Sequence, residues 1–375
     1  MRKLLQKLFR KPVTWLARKV SSAPVKKEVN ASLSQLLKNI QEEKEGYAPP
    51  VPFDITEGKF IVFSDQHKGG KDLADDFRNT TLNYMAALQY YYDAGFTFIN
   101  LGDCEELWEN TPSTVININR LALLQEARFL QSGRYCRIYG NHDLEWKYLI
   151  QQNLFLKPIF GDKLTVHEGL LLTTMYNNIP RYIFLAHGHQ GDKRSDGNAF
   201  SNWVVAAIWT PIQRFLEISL DTVSDSFELV DKHNIVMYQW SATQKNMLFI
   251  SGHTHKPVFA SLDHIDRLNK QLKKARELND AAQAQSILQQ IEERKKEYAG
   301  KKLVKTMAKP SYFNTGCCCF SDGDMTGIEI ADGFIRLVKW EAGADTGTRM
   351  VLEESPLFYV FDQMCDEQGA GQPAR

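Results

Sequence analysis

What the sequence lacks narrows its class before any motif is read. It has no excess of charge of either sign: Lys and Arg total 45, and so do Asp and Glu. No electrostatic field therefore turns the whole surface toward nucleic acid, and a stable nucleic-acid partner is not expected. It also has no disulfide framework. The six cysteines stand at 104, 136, 317, 318, 319 and 365, and three consecutive thiols are not the spaced pattern of a secreted scaffold. A reducing, cytoplasmic compartment is the expectation. No apolar run approaches the roughly 18 to 20 residues that a bilayer-spanning helix needs. Hydrophobic residues still make up 43% of the chain, enough to offset ordering entropy, so wholesale disorder is excluded as well.

With 375 residues the chain can bury a sizeable core, as one large enzyme domain or two average ones. Residues 1–27 carry nine Lys or Arg and no acid, interleaved with Leu4, Leu5, Leu8, Phe9, Trp15 and Leu16. Lys7, Arg10, Lys11 and Pro12 break the continuous apolar core that a secretory signal requires. The segment is therefore expected to be an amphipathic helix on an anionic membrane face, peripheral on the inner leaflet. Residues 28–58 suggest a polar helix and a proline-containing connector, with the compact domain spanning 59–345 and a tail at 346–375. Two insertions interrupt that domain: apolar helices at 195–240, suited to a cap, and a charged helical hairpin at 262–305.

From Lys59 onward, short apolar runs alternate with helical stretches, the signature of a layered α/β sheet covered on both faces. Five of these runs end in metal-binding residue types: Ser64-Asp65-Gln66-His67, Gly102-Asp103-Cys104-Glu105-Glu106, Gly140-Asn141-His142-Asp143, His187-Gly188-His189 and Gly252-His253-Thr254-His255. One such cluster is a turn or a cap; five in succession are hard to attribute to turns. In an extended strand end, residues i and i+2 point the same way. Asp65 with His67, and His253 with His255, can then each aim two donors at one region. Asp103 is the central candidate for a carboxylate that bridges two cations with its two oxygens. Mixed Asp, His and Asn donors suit manganese, iron, zinc or cobalt better than calcium.

This set of blocks, in this order, resembles the calcineurin-like metallophosphoesterase superfamily. The resemblance implies a sandwich of two mixed β-sheets flanked by helices, with two divalent cations, manganese foremost, at the strand ends. It implies that Asp65, His67 and His255 hold one ion, that Asn141, His187 and His253 hold the other, and that Asp103 bridges them. By the same resemblance His142 sits near the leaving group as a general acid or transition-state stabiliser, oriented by Asp143. His189, Lys68 and Arg194 are candidate substrate contacts.

The protein phosphatases of that superfamily carry an Arg after the second block's Asp; here the run is Gly102-Asp103-Cys104-Glu105-Glu106-Leu107-Trp108. Its Gly-Asp-x-x-Glu-x-Trp pattern resembles UDP-2,3-diacylglucosamine pyrophosphatases, which implies a lipid-linked nucleotide substrate under the 195–240 cap. The other readings are a nucleotide or nucleic-acid phosphodiesterase, a phosphoprotein phosphatase, and a non-catalytic metal-binding scaffold. Cys317-Cys318-Cys319 has no regularly spaced partners, and buried strand packing is expected for it.

Overall fold

The computed structural model describes residues 24–72, 75–191, 227–261, 309–343 and 347–364, together with short pieces between 272 and 288. Residues 1–23 of the basic segment, Arg194, the cap residues up to 226, most of the 262–305 hairpin and Cys365 lie outside the described residues.

The architecture is the expected sandwich of two mixed sheets flanked by helices. The first helix, α1, is Lys26–Gln41, followed by β1 (Val51–Pro52), β2 (Phe60–Phe63) and α2 (Phe77–Asp93). Next come β3 (Thr97–Leu101), α3 (Pro112–Ile118), α4 (Arg120–Gln131) and β4 (Tyr135–Ile138). Short helical turns fill 144–160, before β5 (Val166–His167), β6 (Gly169–Tyr176) and β7 (Ile179–Ala186). After α5 (Phe227–Ser241) the chain makes β8 (Met247–Ser251), β9 (Tyr312–Asn314), β10 (Met325–Ala331), β11 (Phe334–Glu341), β12 (Thr348–Pro356) and α6 (Leu357–Gln363).

Among the described residues, one sheet has the order β1-β6-β7-β8-β9 and the other β12-β11-β10-β2-β3-β4-β5. Strands β2, β3 and β4 run parallel as neighbours in the larger sheet, and β7 and β8 run parallel in the smaller. All five metal-type clusters follow these five strands, so the blocks gather at one end of the sandwich, where loops are free to vary around a fixed scaffold.

The apolar runs show no polar alternation because each strand is covered on both faces. Val62, Ile99 and Ile138 of one sheet meet Leu170, Leu172, Ile183, Leu185, Leu248 and Ile250 of the other in the central layer. The alternate residues Ile61, Phe63 and Phe98 turn outward, against Tyr84, Leu88 and Tyr91 of α2 and Phe129 of α4.

Three boundaries differ from the sequence reading. The domain begins before residue 59: Val29, Leu33, Leu36, Leu37 and Ile40 of α1 are buried on the outer face of the five-stranded sheet, whose β6 also pairs with β1. These residues recur at helical three- and four-residue spacing, so a helix polar in average composition still carries an apolar stripe. The domain also continues past 345, since β12 pairs along β11 and Leu357, Val360 and Phe361 of α6 enter the central core. The described end of the presumed cap, α5, places Met237 and Trp240 against the five-stranded sheet beside α1, which makes it a covering helix. Of the hairpin, Leu272, Ala275 and Ile287 bury against one another.

Replacing Leu36 by Ala removes a nearly fully buried side chain and is expected to cost about 2 to 5 kcal/mol. Urea unfolding reads this as a lower midpoint at unchanged slope; an unaltered midpoint would show α1 to be dispensable.

Candidate metal centre

The loops after β2 and β3 are held together by backbone bonds beyond the strands themselves. Asp65, His67 and Lys68 donate their N–H groups to the carbonyls of Gly102, Asp103 and Cys104 at 3.0, 2.9 and 3.0 Å. Asp65, His67, Asp103, His253 and His255 have φ of 52°, 48°, 50°, 69° and 56°. They are left-handed residues and not the extended strand ends that spacing suggested. Asp and His tolerate this region better than most side chains, yet each still costs on the order of 1 kcal/mol. The left-handed turns, and not the strand pleat, aim these side chains inward.

Two glycines make the close approach possible. A Cβ on Gly140 would collide with the Asp103 carboxylate, and one on Gly252 with Ser64 and the Asp65 carboxylate. The absence of a side chain there lets each carboxylate lie flat against a neighbouring loop.

The donors converge as two groups. His255 Nε2 is 3.1 Å from His67 Nε2 and 3.3 Å from Asp65 Oδ1. His187 Nε2 is 3.1 Å from Asp103 Oδ2, which is also 3.7 Å from His67 Nε2. An ion bound at about 2.1 Å spaces neighbouring N and O donors about 3.0 to 3.4 Å apart. Single donor atoms of Asp65, His67 and His255, and likewise of Asp103, His187 and His253, lie within 4.8 Å of one another, so each group can hold a cation. Asp103 lies between the two groups: its Oδ2 faces His187 and His67, and its Oδ1 accepts the His142 N–H at 2.8 Å.

The deeper group also carries the test of fit. Asn141 Oδ1, His187 Nε2 and His253 Nε2 are buried without a hydrogen-bond partner of acceptable geometry. His187 and His253 lie with the Asp103 carboxylate in one buried group, a donor set that suits a divalent cation, and the buried Asn141 Oδ1 is a further oxygen donor in want of a partner. The tautomers agree with this. His187 Nδ1 donates to Leu101 O at 2.8 Å, and His67 Nδ1 to Glu106 Oε2 at 3.0 Å, which leaves each Nε2 lone pair facing the site.

Glu106 takes the role expected of Asp143. Its Oε2 is 2.7 Å from His142 Nδ1, and Trp108 stacks on the His142 ring at 3.8 Å while its indole N–H bonds Asn141 O at 2.8 Å. Burial opposes charge on both partners, yet Glu106 and Asp103 hold His142 up at about 9, and His142 and His67 hold Glu106 down at about 2. Asp143 instead ties loops together, accepting the N–H groups of Gly140 at 2.6 Å and Cys104 at 2.9 Å. Burial, with Glu105 and Asp103 nearby, pushes its carboxyl up to about 6. The Glu106 and Trp108 of the Gly-Asp-x-x-Glu-x-Trp run thus position His142 and Asn141.

The other candidates divide. His189 is buried, with its ring 5.5 Å from that of His187. Burial, with His187 beside it, pushes its pKa down to about 3, so the ring is neutral. Lys68 is fully buried and is no substrate contact: its ammonium lies 2.9 Å from Glu126 and 3.6 Å from Glu105. Arg137 pairs with the same two carboxylates, and Trp146 Nε1 donates to Glu105 at 2.8 Å. The sequence reading quoted Glu106 and Trp108 without giving them a role, and it missed Asn234, which bonds Thr254 at 3.2 Å and so supports the His253 loop from α5.

No family model matches the chain, and no curated protein matches it. Among solved structures it is similar to vacuolar protein sorting 29 from Cryptosporidium parvum, at 10% identity and a TM-score of 0.27, covering 80% of this chain and 98% of that one. It is likewise similar to a dimetal phosphatase from Danio rerio, at 10% identity and a TM-score of 0.32, covering 79% of this chain and 99% of that one. Neither likeness is close enough to carry the chemistry, which rests on the donor geometry.

Lys68→Met is expected to destabilise the chain by about 3 to 5 kcal/mol, because two buried carboxylates are left with one cation. A denaturant midpoint shifted by less than about 0.5 kcal/mol, the range of surface substitutions, would contradict the buried role.

Proposed function

We propose that the chain is a phosphoesterase that uses two divalent cations, manganese first among them, to hydrolyse a phosphate ester or pyrophosphate bond. The observation that carries this reading is the convergence of His187 Nε2 and His253 Nε2 on the Asp103 carboxylate, beside a second group of Asp65, His67 and His255. Asp65, His67 and His255 would hold one ion, Asn141, His187 and His253 the other, and Asp103 would be shared between them. Two cations so placed supply Lewis-acid charge for phosphoryl oxygens and lower the pKa of water.

The residues around them define a direction. Asp65, Asp103 and His187 are buried, whereas His67, His142 and His255 are partly open at 15, 14 and 22% side-chain exposure. Substrate enters on the His67, His142 and His255 side. His142, whose Nδ1 faces the Glu106 carboxylate, is the group placed to deliver a proton to the departing oxygen. Trp108 and Glu106 fix the plane and the tautomer of that ring.

The finer reading is a lipid-linked nucleotide pyrophosphate such as UDP-diacylglucosamine. It is supported by the Gly-Asp-x-x-Glu-x-Trp run, and by the exposed Tyr148, Leu149, Ile150 and Leu154 on the turns that follow the His142 loop. These apolar side chains suit an acyl chain or a bilayer surface. Among the described residues no helix is long and apolar enough to cross a membrane, so contact with the inner membrane face would be peripheral, through residues 1–27.

The test is hydrolysis of bis(p-nitrophenyl) phosphate with manganese, followed by UDP-diacylglucosamine, cyclic nucleotides and phosphopeptides as alternative substrates. His142→Ala is expected to slow kcat by about 10²- to 10⁴-fold with metal content unchanged by elemental analysis, whereas Asp103→Ala loses bound metal and activity together. A metal-loaded chain without turnover on any ester would leave only a binding scaffold. In Glu106→Gln the loss of the carboxylate lowers the His142 pKa. The alkaline limb of the rate profile should therefore move to lower pH, and an unmoved limb would separate Glu106 from the proton donor.

A further inference from the structure

The loop after β9 carries Cys317-Cys318-Cys319, and the alternation of side chains splits the three thiols between two environments. Cys318 enters the apolar layer with Phe63, Phe77 and Met325, the packing role expected of the whole run. Cys317 and Cys319 turn toward His255. The Cys319 sulfur is 4.0 Å from His255 Nδ1, and single donor atoms of Cys317, Cys319 and His255 lie within 4.8 Å of one another. That is the same closeness as in the two groups around Asp65 and Asp103. Both cysteines are free thiols; Cys317 is buried and Cys319 half-buried.

The identity of the donors sets this group apart. A ligating histidine ordinarily gives its second ring N–H to an oxygen, as His67 does to Glu106 and His187 to Leu101. His255 faces sulfur instead. Two thiols and an imidazole select soft or borderline cations and hold manganese poorly. The 4.0 Å separation is a few tenths of an ångström above the about 3.6 Å edge of a tetrahedral sulfur and nitrogen pair, given metal bonds of about 2.3 and 2.1 Å.

We propose that Cys317, Cys319 and His255 form a site for a thiophilic cation such as zinc, cadmium or copper(I), which draws His255 away from the Asp65 and His67 group and so inhibits hydrolysis. Binding releases the two thiol protons to solvent, moves the His255 ring proton from Nδ1 to Nε2, which takes that lone pair from the Asp65 and His67 group, and leaves the oxidation state of sulfur unchanged. The inhibition rests on the phosphoesterase reading; the site itself does not.

The experiment titrates cadmium into the manganese-loaded full chain and follows thiolate-to-cadmium absorption in the ultraviolet, with bound cadmium counted after desalting. The same titration is run on Cys319→Ser, whose side chain is only half-buried, and on the Cys317→Ser, Cys319→Ser double variant. The wild-type band should saturate near one added equivalent, Cys319→Ser should bind about tenfold or more weakly, and the double variant should show no band. Absence of the band in the wild type, or an equal band in the double variant, overturns the site. In parallel, cadmium should slow bis(p-nitrophenyl) phosphate hydrolysis about tenfold more in the wild type than in Cys319→Ser; equal slowing overturns the sharing of His255. A full band with no hydrolysis by either protein removes the phosphoesterase reading and leaves the cation site standing.

Discussion

The Asp103 carboxylate is the point on which the arrangement turns. One oxygen is fixed by the backbone of His142, and the other faces His67 and His187. Loops following β2, β3, β4 and β7 therefore meet at a single anion. Burial argues against charge there, but the imidazoles of His187, His142 and His67 hold the Asp103 carboxyl well below its ordinary range. A buried anion with that many positive or polarisable neighbours is stable only if all of them keep their places. The left-handed backbone at Asp65, His67, Asp103, His253 and His255 is strain that this convergence must offset.

Much of this was legible in the sequence, because two of its signals are local. Apolar runs followed at once by Asp, His or Asn marked the five strands, and the donor types marked the chemistry. What was not legible depends on partners distant along the chain. Asp143 adjoins His142 in sequence, but the carboxylate that bonds the ring is Glu106, on the loop after β3. Lys68 follows His67 and reads as a candidate substrate contact, because nothing local announces Glu105, Glu126 and the aromatic rings of Phe77 and Tyr84 around it. Even the correct pairing of Asp65 with His67 rests on a different geometry from the one their spacing suggests.

Domain limits failed for a related reason. Average polarity hid the stripe of Val29, Leu33, Leu36 and Ile40 on α1, although its period was present in the letters. No residue of the strand at Thr348–Pro356 is fully buried, so it lacks the apolar run that identified the others. An edge strand of that kind declares itself only through the partner it pairs with, here β11.

Beneath the donors, Lys68 and Arg137 face Glu105 and Glu126, two cations against two anions, all sealed from solvent. Because the quartet sums to zero and excludes water, mobile counter-ions do not reach it, and its cohesion does not weaken as ionic strength rises. The partly open His67, His142 and His255 have no such shelter. Added salt will therefore alter how a charged molecule approaches the mouth while the floor that holds the loops in register keeps its shape.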